Sequence, residues 1–169
     1  DQHRAAYMAN IARYVADGGA VLIASGPDLA DEDGLYYTPL SDVIAAAPTG
    51  DVLEGPFKPR LTGQGRKHPV TRDLPGAAGE DPDWGRWFRL VDTSAKPEDT
   101  LMSGLRDKPL LVLSRHEKGR VAQLLSDQGW LWARGYDGGG PQTELLRRIA
   151  HWLMKEPDLE EEALSGRQS

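Results

Sequence analysis

One short apolar run constrains the fold of this chain more than any other feature. Residues 20–24 read Ala-Val-Leu-Ile-Ala and are closed by Ser25-Gly26-Pro27. They follow a segment, 6–15, whose apolar residues recur mostly at spacings of three and four and which stops before Gly18-Gly19. That spacing is typical of a helix, and an apolar run without a polar alternate face is typical of a strand buried on both faces of a parallel sheet. A helix followed by a buried strand predicts an α/β domain.

The second half of the chain supplies the remaining regular elements. Two apolar runs, 109–114 and 119–126, flank a polar turn that contains Gly119, which predicts a β-hairpin able to close one edge of the sheet. Pro141 then opens a segment with an apolar stripe that stops before Pro157. Proline suits the first position of a helix and cannot continue one, so these residues predict an amphipathic closing helix.

The region between these parts is less regular. Thr38 as N-cap and Pro39 at the first helical position predict a short helix to Ala46. Residues 48–85 are rich in proline and have no apolar period, so we expect a loop-dominated excursion with one edge strand near 51–54. We assign 1–157 to a single α/β domain and 158–169 to an acidic tail or linker.

Composition excludes several classes of function. The 169-residue chain has a net charge of -6 and no cysteine, and its four histidines do not show zinc-ligand spacing. We therefore expect no metal and no cofactor. We also expect no nucleic-acid partner, because a negatively charged chain repels phosphates. No apolar stretch is long enough to cross a bilayer, so we expect no direct membrane insertion by this segment.

The order of these elements resembles the class I glutamine amidotransferase-like superfamily. The resemblance rests on the helix, Gly-Gly, buried strand and Ser-Gly-Pro, on the loop 67–75, on Gly119-Arg120-Val121 and on the segment 130–140. It is closest to the trehalose-utilisation-like branch and to C-terminal domains of large bacterial membrane proteins that carry a von Willebrand factor A-like region. It implies a flavodoxin-like sheet flanked by helices, here lacking its first strands, and a soluble domain of a membrane-tethered protein.

The resemblance also indicates that amidotransferase chemistry is absent. That chemistry needs a cysteine thiolate and a histidine. The segment that matches the nucleophile turn, 23–27, reads Ile-Ala-Ser-Gly-Pro and has no cysteine. The segment that matches the histidine position, 126–129, reads Ser-Asp-Gln-Gly and has no histidine. Ser25, His116 and Asp127 are the weak candidates for a replacement catalytic set. Ser25 does not stand in a Gly-x-Ser-x-Gly motif, and a structural turn role is favoured for it.

The segment after the last strand has the most residue types suited to binding. It would lie at the carboxyl end of the sheet, where open α/β folds place ligands. The candidate residues for a small polar ligand are Asp127, Trp130, Trp132, Arg134, Tyr136 and Asp137. The alternative is that both tryptophans only cover the end of the sheet. We predict a division, in which one tryptophan is a buried anchor and the other lines a groove beside Asp127 and Arg134.

A second set of residues could contact a protein. Trp84, Arg86 and Trp87 stand in a strand-like run, and an exposed tryptophan or arginine there would be a natural anchor for another domain of the parent protein or for a protein partner. His68, before Pro69, is expected to be a surface or turn hydrogen-bonder.

Three hypotheses of function follow from these features. The favoured one is a non-catalytic binding or scaffolding domain. The alternatives are a hydrolase or sugar-acting enzyme of the trehalose-utilisation-like type, and a small-molecule sensor.

Overall fold

The fold was analysed in a computed structural model, which describes residues 2–26 and 39–154. The helices and strands are α1 (Gln2–Ala16), β1 (Ala20–Ala24), β2 (Ala47–Phe57), β3 (Arg60–Leu61), α2 (Gly63–Lys67), β4 (Trp87–Ser94), β5 (Thr100–Ser103), β6 (Pro109–His116), β7 (Gly119–Leu124), α3 (Gly129–Ala133) and α4 (Gln142–Leu153). Short 3-10 turns lie at Pro39–Asp42, Pro97–Asp99, Leu105–Asp107 and Tyr136–Gly138.

Two sheets organise the described part of the chain. The larger has the order β1-β7-β6-β5-β3, in which β1 is parallel to β7 and the other pairs are antiparallel. The smaller is the antiparallel pair β2-β4. The predicted α/β class is confirmed, and so is the β6–β7 hairpin. The hairpin does not close an edge, however, because β7 also pairs with β1 and β6 also pairs with β5.

The first strand differs from its prediction. Among the described residues β1 pairs only with β7, so it is an edge strand. Leu22 is 42% exposed, and Ile23 is the only residue of β1 that is buried. The prediction of a strand buried on both faces is therefore wrong. An apolar run does not tell whether other parts of the chain pack on both faces of the strand.

Helices cover both faces of the larger sheet. Because side chains alternate along a strand, Val121 points to the face where Val15 of α1 packs, together with Ile23. Ala122 and Leu124 point to the other face, which α4 covers. The predicted apolar stripe of α4 is confirmed by its buried residues, Leu145, Ile149, Trp152 and Leu153.

The predicted helix from Thr38 to Ala46 is also wrong. Thr38 lies outside the described residues, and from Pro39 only a single 3-10 turn, Pro39–Asp42, forms. Beyond this turn, backbone N–H groups donate hydrogen bonds to the side chain of a buried glutamine in β7. Gln123 Oε1 accepts hydrogen bonds from the N–H groups of Ala45 and Ala46, each at 2.9 Å. This tertiary contact replaces the helical hydrogen bonds that the local sequence favours.

The excursion over 48–85 is more ordered than expected at its start. The expected short edge strand is the eleven-residue β2, Ala47–Phe57, which pairs with β4. The region 48–85 contains one α-helix, the five-residue α2. From His68 to Arg86 the chain forms turns and irregular backbone, in agreement with the expected loop-dominated character.

Replacing Gln123 by Leu should lower the free energy of unfolding by about 2 kcal/mol, since two buried N–H groups would lose their acceptor. Gln142→Leu is the matched control. Its Oε1 is buried without a hydrogen-bond partner among the described groups, so its loss should cost almost nothing. Urea unfolding of the two variants checks this; equal losses would show that Gln123 acts only through its volume.

Candidate functional site

The carboxyl ends of β1 and β7 bring two of the predicted residues together. Ser25 follows β1, and Asp127 follows β7. The N–H of Ser25 donates to the carbonyl of Leu124 at 2.8 Å. A Cβ placed on Gly26 would lie 2.7 Å from Asp127 Oδ2, so glycine is what lets the carboxylate approach this backbone. Ser25 itself is buried, and its Oγ has no hydrogen-bond partner among the described groups.

His116 lies at the opposite end of the sheet. It pairs with Gly119 at the hairpin turn, whereas Ala24, next to Ser25, pairs with Leu124. The five residue-to-residue steps from Gly119 to Leu124 extend about 17 Å at the rise of a strand. The candidate catalytic set of Ser25, His116 and Asp127 is therefore not assembled in this structure. A base must come within hydrogen-bond reach of its nucleophile, and His116 does not.

Asp127 is already paired with an arginine. Arg89 Nη2 donates to both carboxylate oxygens at 2.8 Å. Arg89 belongs to β4, and the smaller sheet joins this end of β7 through the Val91 N–H, which donates to the Leu125 carbonyl at 2.9 Å. The carboxylate is thus part of the junction between the two sheets.

A second carboxylate is held in the same way. Asp137 Oδ2 accepts from Arg86 Nε at 2.9 Å and from the Arg86 N–H at 3.1 Å. These hydrogen bonds lower the pKa of Asp137 and raise that of Arg86. Both carboxylates that the sequence offered to a small polar ligand are consequently bound to guanidinium groups.

The two tryptophans of α3 have different environments. Trp132 is 3% exposed, and Trp130 is 56% exposed. Residues two apart on a helix lie about 200° apart around its axis, so the short helix α3 turns the two side chains in different directions. The predicted division between a buried and an exposed tryptophan is confirmed, although a short helix produces it where we expected a turn induced by Gly129 and Gly135. The groove beside Asp127 and Arg134 stays a prediction.

The proposed partner anchors Trp84 and Trp87 are buried. Trp84 is 2% exposed and Trp87 is fully buried, and both rings pack against Trp132, with centroid distances of 5.4 and 4.7 Å. Neither can contact a partner from this position, which corrects the expectation of an exposed tryptophan. Arg86 is the member of the set that remains at the surface.

Two exposed aromatic residues come from α3 and from the turn that follows it. Trp130 and Tyr136 are exposed, and the Tyr136 ring meets Phe88 edge-on at 5.8 Å. Arg134 is exposed between them in the sequence. We call Phe88, Trp130, Arg134 and Tyr136 the α3 surface. Tryptophan, tyrosine and arginine are the residue types that contribute most to binding energy at protein interfaces.

His68 is a turn hydrogen-bonder, as expected. Its Nδ1 accepts from the Val70 N–H at 3.1 Å, and its ring lies edge-on to Trp152. Burial lowers the pKa of His68 to about 4, with further lowering from the positive charges of Arg115 and Arg120. The imidazole is therefore neutral at pH 7, which suits its role as an acceptor.

An open groove of about 730 Å³ lies where the end of β4 meets α2 and the start of β6. It could not be predicted from the sequence because its walls come from separate segments. The lining residues are Thr62, Gly63, Gln64, Thr93, Ser94, Ala95, Pro97, Glu98, Thr100, Asp107, Lys108 and Pro109. The one feature of this site that the sequence could indicate is the N-cap of α2, Thr62. The Thr62 hydroxyl accepts a hydrogen bond from the Gly65 N–H.

Within residues 2–26 and 39–154, no helix has the length and apolar character needed to span a membrane. No group of three or more potential metal ligands occurs in the same residues.

Comparisons with known proteins give a fold and no family. No protein-family model matches the chain, and no curated protein matches it. Similar solved structures are the cytoplasmic proteins STM1381 and STM3548 of Salmonella typhimurium, with TM-scores of 0.70 and 0.69 and identities of 22% and 19%. These matches cover 87% and 86% of this chain, and the chain spans only 60% and 59% of those proteins.

A third similar structure is a beta-galactosidase from Rahnella sp. R3. Its TM-score is 0.52 at 14% identity, covering 90% of this chain and 21% of that one. Likenesses at such low identity concern the fold alone.

Proposed function

We propose that this chain is a non-catalytic binding or scaffolding domain of a larger, membrane-tethered bacterial protein, built on an amidotransferase-like, flavodoxin-like shell. The observation that carries the proposal is the arrangement at the carboxyl end of the sheet. Ser25 is buried there without a base, His116 lies at the other end, and Asp127 is paired with Arg89. Nucleophilic catalysis requires these three roles to meet at one point.

The α3 surface is the part of the domain best suited to a partner. Trp130 exposes 56% of its area, and Tyr136, which meets Phe88 edge-on, is exposed six residues later in the chain. These aromatic side chains rest on a buried base, because Trp132 fixes α3 against the core. An anchor that is already ordered loses little entropy on binding. The expected partner is another domain of the parent protein or a separate protein.

The two alternatives have less support. A hydrolase or sugar-acting enzyme would need an acid or base free to exchange protons, whereas Asp127 and Asp137 are each bound by an arginine. A sensor with its ligand between Trp130 and Tyr136 would need those same carboxylates to bind hydroxyl groups.

A photo-crosslinking residue placed at Trp130 in the full-length parent protein should form a covalent link to one defined peptide of another domain or of a partner. The control position is Tyr7 on α1, which is similarly exposed, at 62%, but belongs to the helix on the other face of the sheet. Mass spectrometry identifies the linked peptides. No link at Trp130, or the same peptides at both positions, would refute the proposed surface.

A further inference from the structure

Strand β1 leaves one edge of the larger sheet unpaired in the described part of the chain, since it pairs with β7 on one side only. The N–H of Ser25 donates to the Leu124 carbonyl at 2.8 Å, and the Gly19 carbonyl accepts from the Arg120 N–H at 3.1 Å. Odd-numbered residues of this strand therefore direct their backbone groups towards β7. Because these groups alternate along a strand, those of residues 20, 22 and 24 point outward.

Two other strands at sheet edges carry features that hinder further pairing. The strand β3 has only two residues, and Pro59 precedes it. The strand β2 contains Pro48 and Pro56, which cannot donate a hydrogen bond, and its pairing with β4 has register shifts. In contrast, residues 18–26 contain no charged side chain and no proline. An apolar edge without such protection is a template for another strand.

The middle residue of β1 is apolar and exposed. Ala20 packs against the core cluster that contains the buried residues of α4. Leu22 is two residues further along the strand, so its side chain points to the same face of the sheet. It is nevertheless 42% exposed, which shows that α4 does not cover the free edge.

One flank of α4 extends this apolar surface. The opposite flank carries Arg148, whose Nη1 donates to the Arg72 carbonyl at 2.7 Å. The helix α2, which leads towards Arg72, contacts β5, on the side of the sheet away from β1. Leu146 is two residues from Arg148 and lies about 200° from it around the helix axis, so it faces the side of β1. Leu146 is 37% exposed, and Ala150, one turn later, is also exposed.

The sequence of β1 is suited to antiparallel pairing with a second copy of itself. A two-fold axis through the middle residue places residues of similar size and shape opposite each other. The opposed pairs are Leu22 with Leu22, Ala20 with Ala24 and Val21 with Ile23. Since residues 20, 22 and 24 direct their backbone groups outward, each pair that they form is a hydrogen-bonded pair. A two-fold axis is also the commonest symmetry of homo-oligomers.

We propose that the chain forms a two-fold homodimer in which the two β1 strands pair antiparallel about Leu22. This pairing joins the two larger sheets into one continuous sheet. The two Leu22 side chains meet on the face that α4 covers, and the flanks that carry Leu146 lie on either side of them. The proposal shares no residue with the α3 surface, so it does not depend on the proposed partner function.

A charge exchange at the axis tests the proposal by sedimentation velocity, in which the 169-residue chain should be a dimer. Leu22→Lys and Leu22→Glu should each weaken dimerisation at least about tenfold, because like charges would face each other directly. An equimolar mixture of the two variants should recover association. The control is Ala78→Lys, at an exposed position in the loop after α2, which should dimerise as the parent does. A monomeric parent, variants that dimerise unchanged or a mixture that stays monomeric would each overturn the proposal.

A single cysteine tests the register independently. The chain has no cysteine, so Leu22→Cys carries its only thiol. Cα atoms of a hydrogen-bonded antiparallel pair are about 5.5 Å apart, a distance that a disulfide spans, and mild oxidation should link the two copies. Ala24→Cys is the control on the same face, since its two copies would be offset by about 14 Å along the strands and should stay unlinked. Mixed with Ala20→Cys, it should form the disulfide. Equal linkage of Leu22→Cys and of Ala24→Cys alone would contradict pairing about Leu22.

Discussion

Replacing Trp132 by Ala should lower the free energy of unfolding by about 3 to 5 kcal/mol, the usual cost of removing a large aromatic side chain from a core. Trp132 packs against both Trp84 and Trp87, and its Nε1 donates to the Gly85 carbonyl at 2.7 Å. A Cβ on Gly140 would lie 2.3 Å from the indole, so the backbone there also rests on this ring. The substitution leaves a cavity and an unpaired carbonyl together.

Trp130→Ala is the matched control, two residues away on the same helix. Because Trp130 is 56% exposed, its loss should change the free energy of unfolding by no more than about 0.5 kcal/mol. Urea denaturation followed by the remaining tryptophan fluorescence measures both variants. If the two losses are equal, the division between a core tryptophan and a surface tryptophan is incorrect.

Periodic segments of this fold could be predicted from sequence. The β6–β7 hairpin follows from two apolar runs around a glycine-containing turn, and the apolar stripe of α4 follows from the helical period of 3.6; both signals depend only on neighbours along the chain. The helix expected up to Ala46 could not be corrected in this way. Its backbone donors go to Gln123, which is 77 residues away from Ala46, and no local pattern reports such a contact.

Only the part of the candidate site that lies at the ends of the strands could be predicted from the sequence. Ser25 and Asp127 follow adjacent parallel strands, so their proximity is a consequence of the topology. The pairing of Asp127 with Arg89 does not follow from the order of these strands, because Arg89 comes from the smaller sheet, 38 residues earlier in the chain. Trp84 and Trp87 look like a half-exposed strand in sequence, yet α3 folds over them and buries both.

His68 should make the stability of the domain fall as the pH falls from 6.5 to 4. Its pKa is lowered from 6.5 to about 4 in the folded protein, chiefly by burial and then by Arg115 and Arg120. Between these values the unfolded chain binds a proton that the folded protein does not. Protonation therefore favours unfolding, and the contribution is complete above pH 6.5 and lost below about pH 4. A difference of this size corresponds to about 3 kcal/mol.

His68→Asn separates this contribution from the carboxylates that titrate in the same range. The asparagine side-chain oxygen can replace Nδ1 as acceptor for the Val70 N–H, but the amide does not titrate. The variant and the parent share every other ionisable group. Urea unfolding at pH 7, 6, 5 and 4 should thus give a stability difference that moves in favour of the variant by about 3 kcal/mol towards pH 4. Parallel curves for the two proteins would mean that His68 takes up its proton in the folded state as readily as in the unfolded chain, and that burial beside Trp152 does not keep it neutral.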